Sequence, residues 1–73
     1  MDYIDRLTAL RIDNDISQAK ISKLLNCQQS AISKYEQRRA KYKIEDIIKL
    51  CKFYDVSADY VLGLPKNKKY PER

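Results

Sequence analysis

Apolar residues recur along this chain at the three- and four-residue intervals of amphipathic helices, and short polar punctuation breaks the intervals five times. Ile4, Leu7 and Leu10, followed by Arg11, predict a first helix ending near Asn14, opened by Asp2 as N-cap with Asp5 three residues on. Ile16 is expected in the core between helices. Ser17 caps a second helix, about 18–25, whose apolar positions are Ile21, Leu24 and Leu25. Asn26 closes it, because a sharp reversal needs a left-handed residue and Asn tolerates that conformation best after Gly. A third helix runs from Gln28 or Gln29 to about Gln37, with Ile32 and Tyr35 inward. After a connector at 38–43, a fourth spans Ile44 to Tyr54, with Ile44, Ile47, Ile48, Leu50, Cys51 and Tyr54 as its apolar stripe and Asp55 as its stop. Ser57 caps a short fifth helix, "ADYVL", ended by Gly63 and Pro65. The remaining residues carry a second proline and no periodicity, so 65–73 is predicted as a flexible charged tail on a folded domain of residues 1–64. No alternating β-branched run and no internal repeat is visible, which predicts an all-α fold.

A length of 73 residues allows one domain, near the size at which a single core barely outweighs chain entropy. A large buried catalytic cavity is therefore not expected. The chain has no His, no Gly-rich phosphate loop and no base partner for Cys27, all of which argue against an enzyme. Cys27 and Cys51 stand where the pattern wants apolar residues, outside any CxxC unit, and read as reduced, buried thiols; neither a metal nor another cofactor is expected. Nothing resembles a signal peptide or a membrane span, so no membrane partner is expected and a cytoplasmic protein is the expectation.

Charge changes the picture more. Residues 1–37 hold five basic and five acidic side chains, whereas residues 38–73 hold ten and five, so the whole net charge of +5 lies in the second half. The excess starts at "RRAKYK", Arg38 to Lys43, directly after the third predicted helix. A clustered basic excess suits a polyanion, although a solvated loop has the same composition.

The third helix is polar on one side. At about 100° per residue, Gln29, Ser30, Ser33, Lys34 and Gln37 share one side and Ile32 and Tyr35 lie opposite. Two short helices joined by a tight turn, the second polar outside, form a helix-turn-helix. Small Ser22 suits the close crossing of the two. Leu10–Arg11, "ISQAKISKLLN", "QQSAISKYE", "IIKLC" and "YDVSADYVLG" fall in the order and spacing of the phage-repressor and Cro-type (xenobiotic-response-element) helix-turn-helix domains, which residues 7–64 resemble.

That resemblance implies a compact five-helix bundle of the lambda-repressor-like DNA-binding type, with helices 2 and 3 as the helix-turn-helix. It implies that helix 3 enters the major groove of double-stranded DNA with Gln28, Gln29, Ser30, Ser33, Lys34 and Gln37 toward the bases. An amide such as that of Gln29 can pair bidentately with adenine. Gln18 is expected to bond a phosphate and to brace helix 3 against Gln29, and two or three of Arg38, Arg39, Lys41 and Lys43 to meet the backbone. Arg11 and Glu36 are expected to form a structural ion pair. The implied activity is transcriptional repression by a homodimer on a near-palindromic operator, in the nucleoid, with no small-molecule ligand evident and Tyr60, Leu62 and Leu64 as candidates for the dimer interface. A protein-interaction module, antitoxin-like or anti-repressor, is the alternative from another class. The chain departs from the family where Arg38 replaces the usual Gly after helix 3 and Tyr42 the usual Pro before helix 4. A different loop path is therefore expected, and Lys43, a poor capper, predicts an irregular start to helix 4.

Overall fold

A computed structural model describes residues 2–64; the tail expected at 65–73 lies outside the described residues. Five helices follow one another: α1 (Tyr3–Asp13), α2 (Gln18–Leu24), α3 (Gln29–Glu36), α4 (Ile44–Tyr54) and α5 (Ala58–Leu62), with no strand among the described residues. Their starts follow local capping chemistry. Asp2 accepts the Asp5 N–H at 3.0 Å while the Asp5 carboxylate accepts the Asp2 N–H at 3.4 Å, a reciprocal capping box. Ser17 and Ser57 accept the N–H groups of Lys20 and Tyr60. Gln28 and Lys43 open α3 and α4 without a side-chain cap bond. At Lys43 the backbone carbonyl accepts from both Asp46 and Ile47, so α4 begins with a tightened turn.

The ends share one device. After every helix a residue turns left-handed: Asp15, Asn26, Arg38, Asp55 and Gly63, with φ between 56° and 69°. In each case that residue's N–H bonds back three residues, and the next N–H bonds back five: Ile16 to Arg11, Cys27 to Ser22, Arg39 to Lys34, Val56 to Cys51 and Leu64 to Asp59. These are Schellman closures, which satisfy carbonyls that a helix end leaves open. Gly, Asn and Asp tolerate the conformation; a residue with a larger side chain gives up roughly 1–2 kcal/mol there. Arg38 is thus the exception in type, and it adopts the left-handed conformation all the same. The different loop path expected from the loss of Gly is not taken at this residue, because two backbone bonds and a side-chain anchor described below hold it.

Ile16, Cys27 and Val56, each placed just after a left-handed residue, return the chain to the core, which is built from Ile4, Leu7, Ile21, Leu25, Ile32, Tyr42, Ile47, Leu50, Cys51 and Val61. Ser22 is buried between α2 and its neighbours and donates its hydroxyl to the Ala19 carbonyl at 2.7 Å, so the close crossing leaves no stranded polar atom. Both thiols are free; Cys51 is buried and Cys27 half-buried, and burial pushes both above the usual thiol range. The stripe expected on α4 is narrower than six residues. Ile47, Leu50, Cys51 and Tyr54 fall within about 100° of arc and face inward, whereas Ile44 and Ile48 lie past its edge and are 57% and 46% exposed.

Tyr42 corrects the sequence reading in the other direction. In place of a loop proline it is 9% exposed and packs on Tyr35, with ring centroids 4.4 Å apart. An aromatic pair of this geometry adds attraction beyond its buried area.

Ile32 on α3 is fully buried. We expect Ile32→Ala to lower unfolding stability by about 2–5 kcal/mol, read as a shifted urea midpoint with an unchanged slope.

Candidate nucleic-acid interface

α3 reaches the surface between two fixed points. At its start, the turn through Asn26 and Cys27 sets its angle to α2; at its end, Glu36 is held by three hydrogen bonds from two residues. Arg11 of α1 grips it bidentately, Nε to Oε2 at 2.7 Å and Nη2 to Oε1 at 3.0 Å, and Gln18 at the start of α2 donates Nε2 to Oε1 at 2.9 Å. The remaining Arg11 Nη1 donates to the Ile16 carbonyl at 2.9 Å. The Arg11 and Glu36 side chains are only 17% and 11% exposed, so this is a nearly buried pair with its donors and acceptors matched. Hydrogen bonding to Glu36 raises Arg11 above its already high range, fixing it as a cation.

Gln18 therefore braces α3 at Glu36, at the opposite end of the helix from Gln29, the partner expected from the sequence. The reason is chemical: Glu36, turned toward Arg11, presents Oε1 to Gln18 as well, and a charge-assisted bond outcompetes an amide–amide one. One Nε2 proton and the amide oxygen of Gln18 remain for another partner.

The outward face of α3 carries Gln28, Gln29, Ser30, Lys34 and Gln37, all exposed, with Ser33 half-buried among them. Gln37 donates Nε2 to Ser33 Oγ at 3.0 Å, one turn apart, which orders two of these groups relative to each other. The result is a row of amides, hydroxyls and one ammonium on a helix whose opposite side is locked. Arg39, Lys41 and Lys43 are exposed on the loop that follows. Arg38 is exposed too, but its guanidinium is turned to α1, where it donates to Asp2 Oδ1 at 2.9 Å, Asp2 Oδ2 at 3.3 Å and Asp5 Oδ1 at 2.6 Å. No sequence periodicity signals this cluster, since it joins residues 33 and 36 positions apart.

On the far side, Tyr60 and Leu64 are 48% and 51% exposed, while Leu62 packs against the core. Arg6 anchors this end of the bundle by donating to the Tyr60 carbonyl at 2.8 Å while lying over the Tyr60 ring. Among the described residues no three His, Cys, Asp or Glu side chains converge as a metal site, and no helix is long and apolar enough to cross a membrane.

A short helix joined to the one before it by a tight turn, and polar on its free side, is the arrangement of the helix-turn-helix class. Residues 7–61 match the helix-turn-helix family model, and the chain belongs to that family, in its Cro/C1-type branch. Over 62 residues it is 31% identical to an uncharacterized HTH-type transcriptional regulator, YobD, of Bacillus subtilis, an alignment that takes in 85% of this chain and 55% of the relative. The chain thus spans about half the length of that curated relative. Among solved structures it is similar to the P22 c2 repressor protein in complex with synthetic operator 9T, with a TM-score of 0.75 and 28% identity, covering 89% of this chain and 98% of that one. The family and fold are those of DNA-binding regulators.

Two predictions test the clamp on α3. Glu36→Ala strands Arg11 in a low-dielectric niche and should cost about 3–5 kcal/mol, whereas Arg11→Met with Glu36→Leu should recover most of that loss; chemical denaturation of the three proteins decides. Burial pushes the Tyr54 hydroxyl up to about 12 and raises that of Tyr42. Below the ordinary tyrosine pKa of 10.0 the two states bind equal protons at these sites; above it the unfolded chain loses protons that the fold retains. Stability should therefore fall as pH rises from about 10 toward 12, and Tyr42→Phe or Tyr54→Phe should flatten that fall in an alkaline titration of the melting temperature.

Proposed function

We propose that this domain is a sequence-specific, double-stranded DNA-binding transcriptional regulator that represses by occupying a near-palindromic operator as a homodimer. The observation that carries the reading is the outward face of α3: five exposed polar side chains on a helix clamped at its far end by Arg11 and Gln18, followed directly by Arg39, Lys41 and Lys43. A helix so held can enter a major groove without reorganising, and its short Ser30 and Ser33 let the backbone come close to the bases. The likeness to a repressor in complex with an operator supports the same reading.

Each group has a distinct role in it. Gln29 offers donor and acceptor in one plane for an adenine, Lys34 donates to guanine O6 and N7, and Gln28, Ser30, Ser33 and Gln37 fill the remaining edge contacts. Gln18 turns its free amide proton to a phosphate while its other proton stays on Glu36. Arg39, Lys41 and Lys43 hold the backbone and supply affinity without sequence information. Tyr60 and Leu64 are the apolar surface through which two copies meet; Leu62, turned to the core, supports them from behind. A dimer of such domains reads half-sites about 34 Å apart. Such work belongs in the cytoplasm, at the nucleoid.

Selection of bound sites from random duplex DNA should return a near-palindrome. The variant Gln29→Ala, Ser33→Ala, Lys34→Ala should lose preference for it by at least about tenfold, at about 1–3 kcal/mol per lost base contact, while retaining weak nonspecific binding. Unchanged preference would reject the assigned reading face, and absence of any bound duplex would favour a protein-interaction module instead.

A further inference from the structure

Arg38 combines two oddities. It is the only left-handed residue among the described helix ends that is not Gly, Asn or Asp, and it is followed by charged Arg39, not by an apolar residue that could seat the turn in the core. Besides the two backbone bonds of its turn, its side chain holds it: the guanidinium bridges Asp2 and Asp5, making three hydrogen bonds to two carboxylates at the start of α1. Those carboxylates are themselves already ordered, because each accepts a backbone N–H in the capping box. The Asp5 amide hydrogen bond, then Arg38, holds Asp2 below the usual carboxylate range.

The position of Arg38 matters because it immediately follows Gln37 at the end of the polar face. Without the carboxylates, a guanidinium at the N-terminal end of α1 would meet the positive end of the helix dipole and would be driven away. Two fixed carboxylates reverse that preference and offer what a DNA backbone offers, paired anionic oxygens in hydrogen-bonding geometry.

We propose that Asp2 and Asp5 act as a built-in substitute for phosphate, keeping Arg38 off the DNA backbone and so limiting the nonspecific part of DNA affinity. The proposal rests on the DNA-binding reading above. On it, Arg38 positions the loop and contributes nothing to counterion release, while Arg39, Lys41 and Lys43 do. A regulator gains from such a limit, since every phosphate contact tightens binding to all sequences alike.

The test uses the whole chain and a random-sequence duplex, so it needs no knowledge of the operator. Binding is followed by fluorescence anisotropy between about 50 and 200 mM salt for four proteins: the parent, Asp2→Asn with Asp5→Asn, Arg38→Gly, and the triple variant. Asn caps a helix as well as Asp, and Gly suits the left-handed site, so all are expected to fold; circular dichroism checks this. Releasing Arg38 by the double Asn change should add one phosphate contact, steepening the log–log salt slope by about 0.9 and adding about a 3.5-fold loss of affinity across that range. Arg38→Gly should keep the parental slope, and the triple variant should match Arg38→Gly. An unchanged slope in the double Asn variant overturns the proposal, as does a slope shallower by about 0.9 in Arg38→Gly. A steepened slope in the triple variant also overturns it, because the gain would then come from lost negative charge alone. If the parent binds no duplex at all, the DNA-binding reading itself fails, a result distinct from each of these.

Discussion

The orientation of α3 depends on one buried ion pair. Arg11 and Glu36 join the end of the first helix to the end of the third, and two neutral groups complete the set: the Ile16 carbonyl on the arginine and the Gln18 amide on the glutamate. Every element of the helix-turn-helix and the helix behind it thus contributes to one hydrogen-bonded knot. Such a knot adds little net stability, since removing two charges from water offsets much of their attraction. What it supplies is direction. A purely apolar contact there would let α3 slide or roll by fractions of a turn, and each such shift would move the polar row on its outer face; a bidentate guanidinium–carboxylate pair tolerates only one geometry. Tyr42 and Tyr54 lie near the pair, so the loop and α4 border an interaction formed between other helices.

A second constraint is size. In a domain this small, each disordered helix end would consume a large share of a marginal stability. The same closure at all five described helix ends satisfies the terminal carbonyls within five residues of sequence, and at α1, α2 and α4 the following residue is packed against the core. The fold therefore needs almost no glycine. Gly63 is favoured by its φ of 69°, and a Cβ there would sit 2.7 Å from Nη1 at the far end of the Arg6 side chain, which would have to shift.

Much of this was legible in the sequence because the signals are local. Asp2, Ser17 and Ser57 cap where capping chemistry says they should, Asn26 and Asp55 reverse the chain, and the 3.6-residue period separates Ile32 and Tyr35 from the polar face of α3. The readings that needed correction are those decided by distant partners. Tyr42 looked like a loop residue until Tyr35 gave it a ring to pack on. Gln18 was expected to brace Gln29, and the choice of Glu36 followed from where Arg11 turned that carboxylate. Ile44 and Ile48 match the helical period, but the period does not say how wide an arc the neighbouring helices cover. Arg38 was the hardest: a basic residue in a basic run reads as part of the run, and its carboxylate partners lie in another helix.

The first helix gathers contacts whose other halves come late in the chain. Arg11 waits 25 residues for Glu36, Asp2 waits 36 for Arg38, and Arg6 waits 54 for the Tyr60 carbonyl. During synthesis at ordinary rates of about 5–20 residues per second, that last interval is roughly three to eleven seconds. Eleven residues of isolated helix are marginal in water, so until α3 arrives α1 is held mainly by its own capping box. The pairing of α2 with α3 is local and can form early, but α3 gains its final angle only when Arg11 docks on Glu36, and the bundle closes only when Arg6 finds α5. The polar face of α3 is thus assembled before the contact between Arg6 and α5 that completes the bundle.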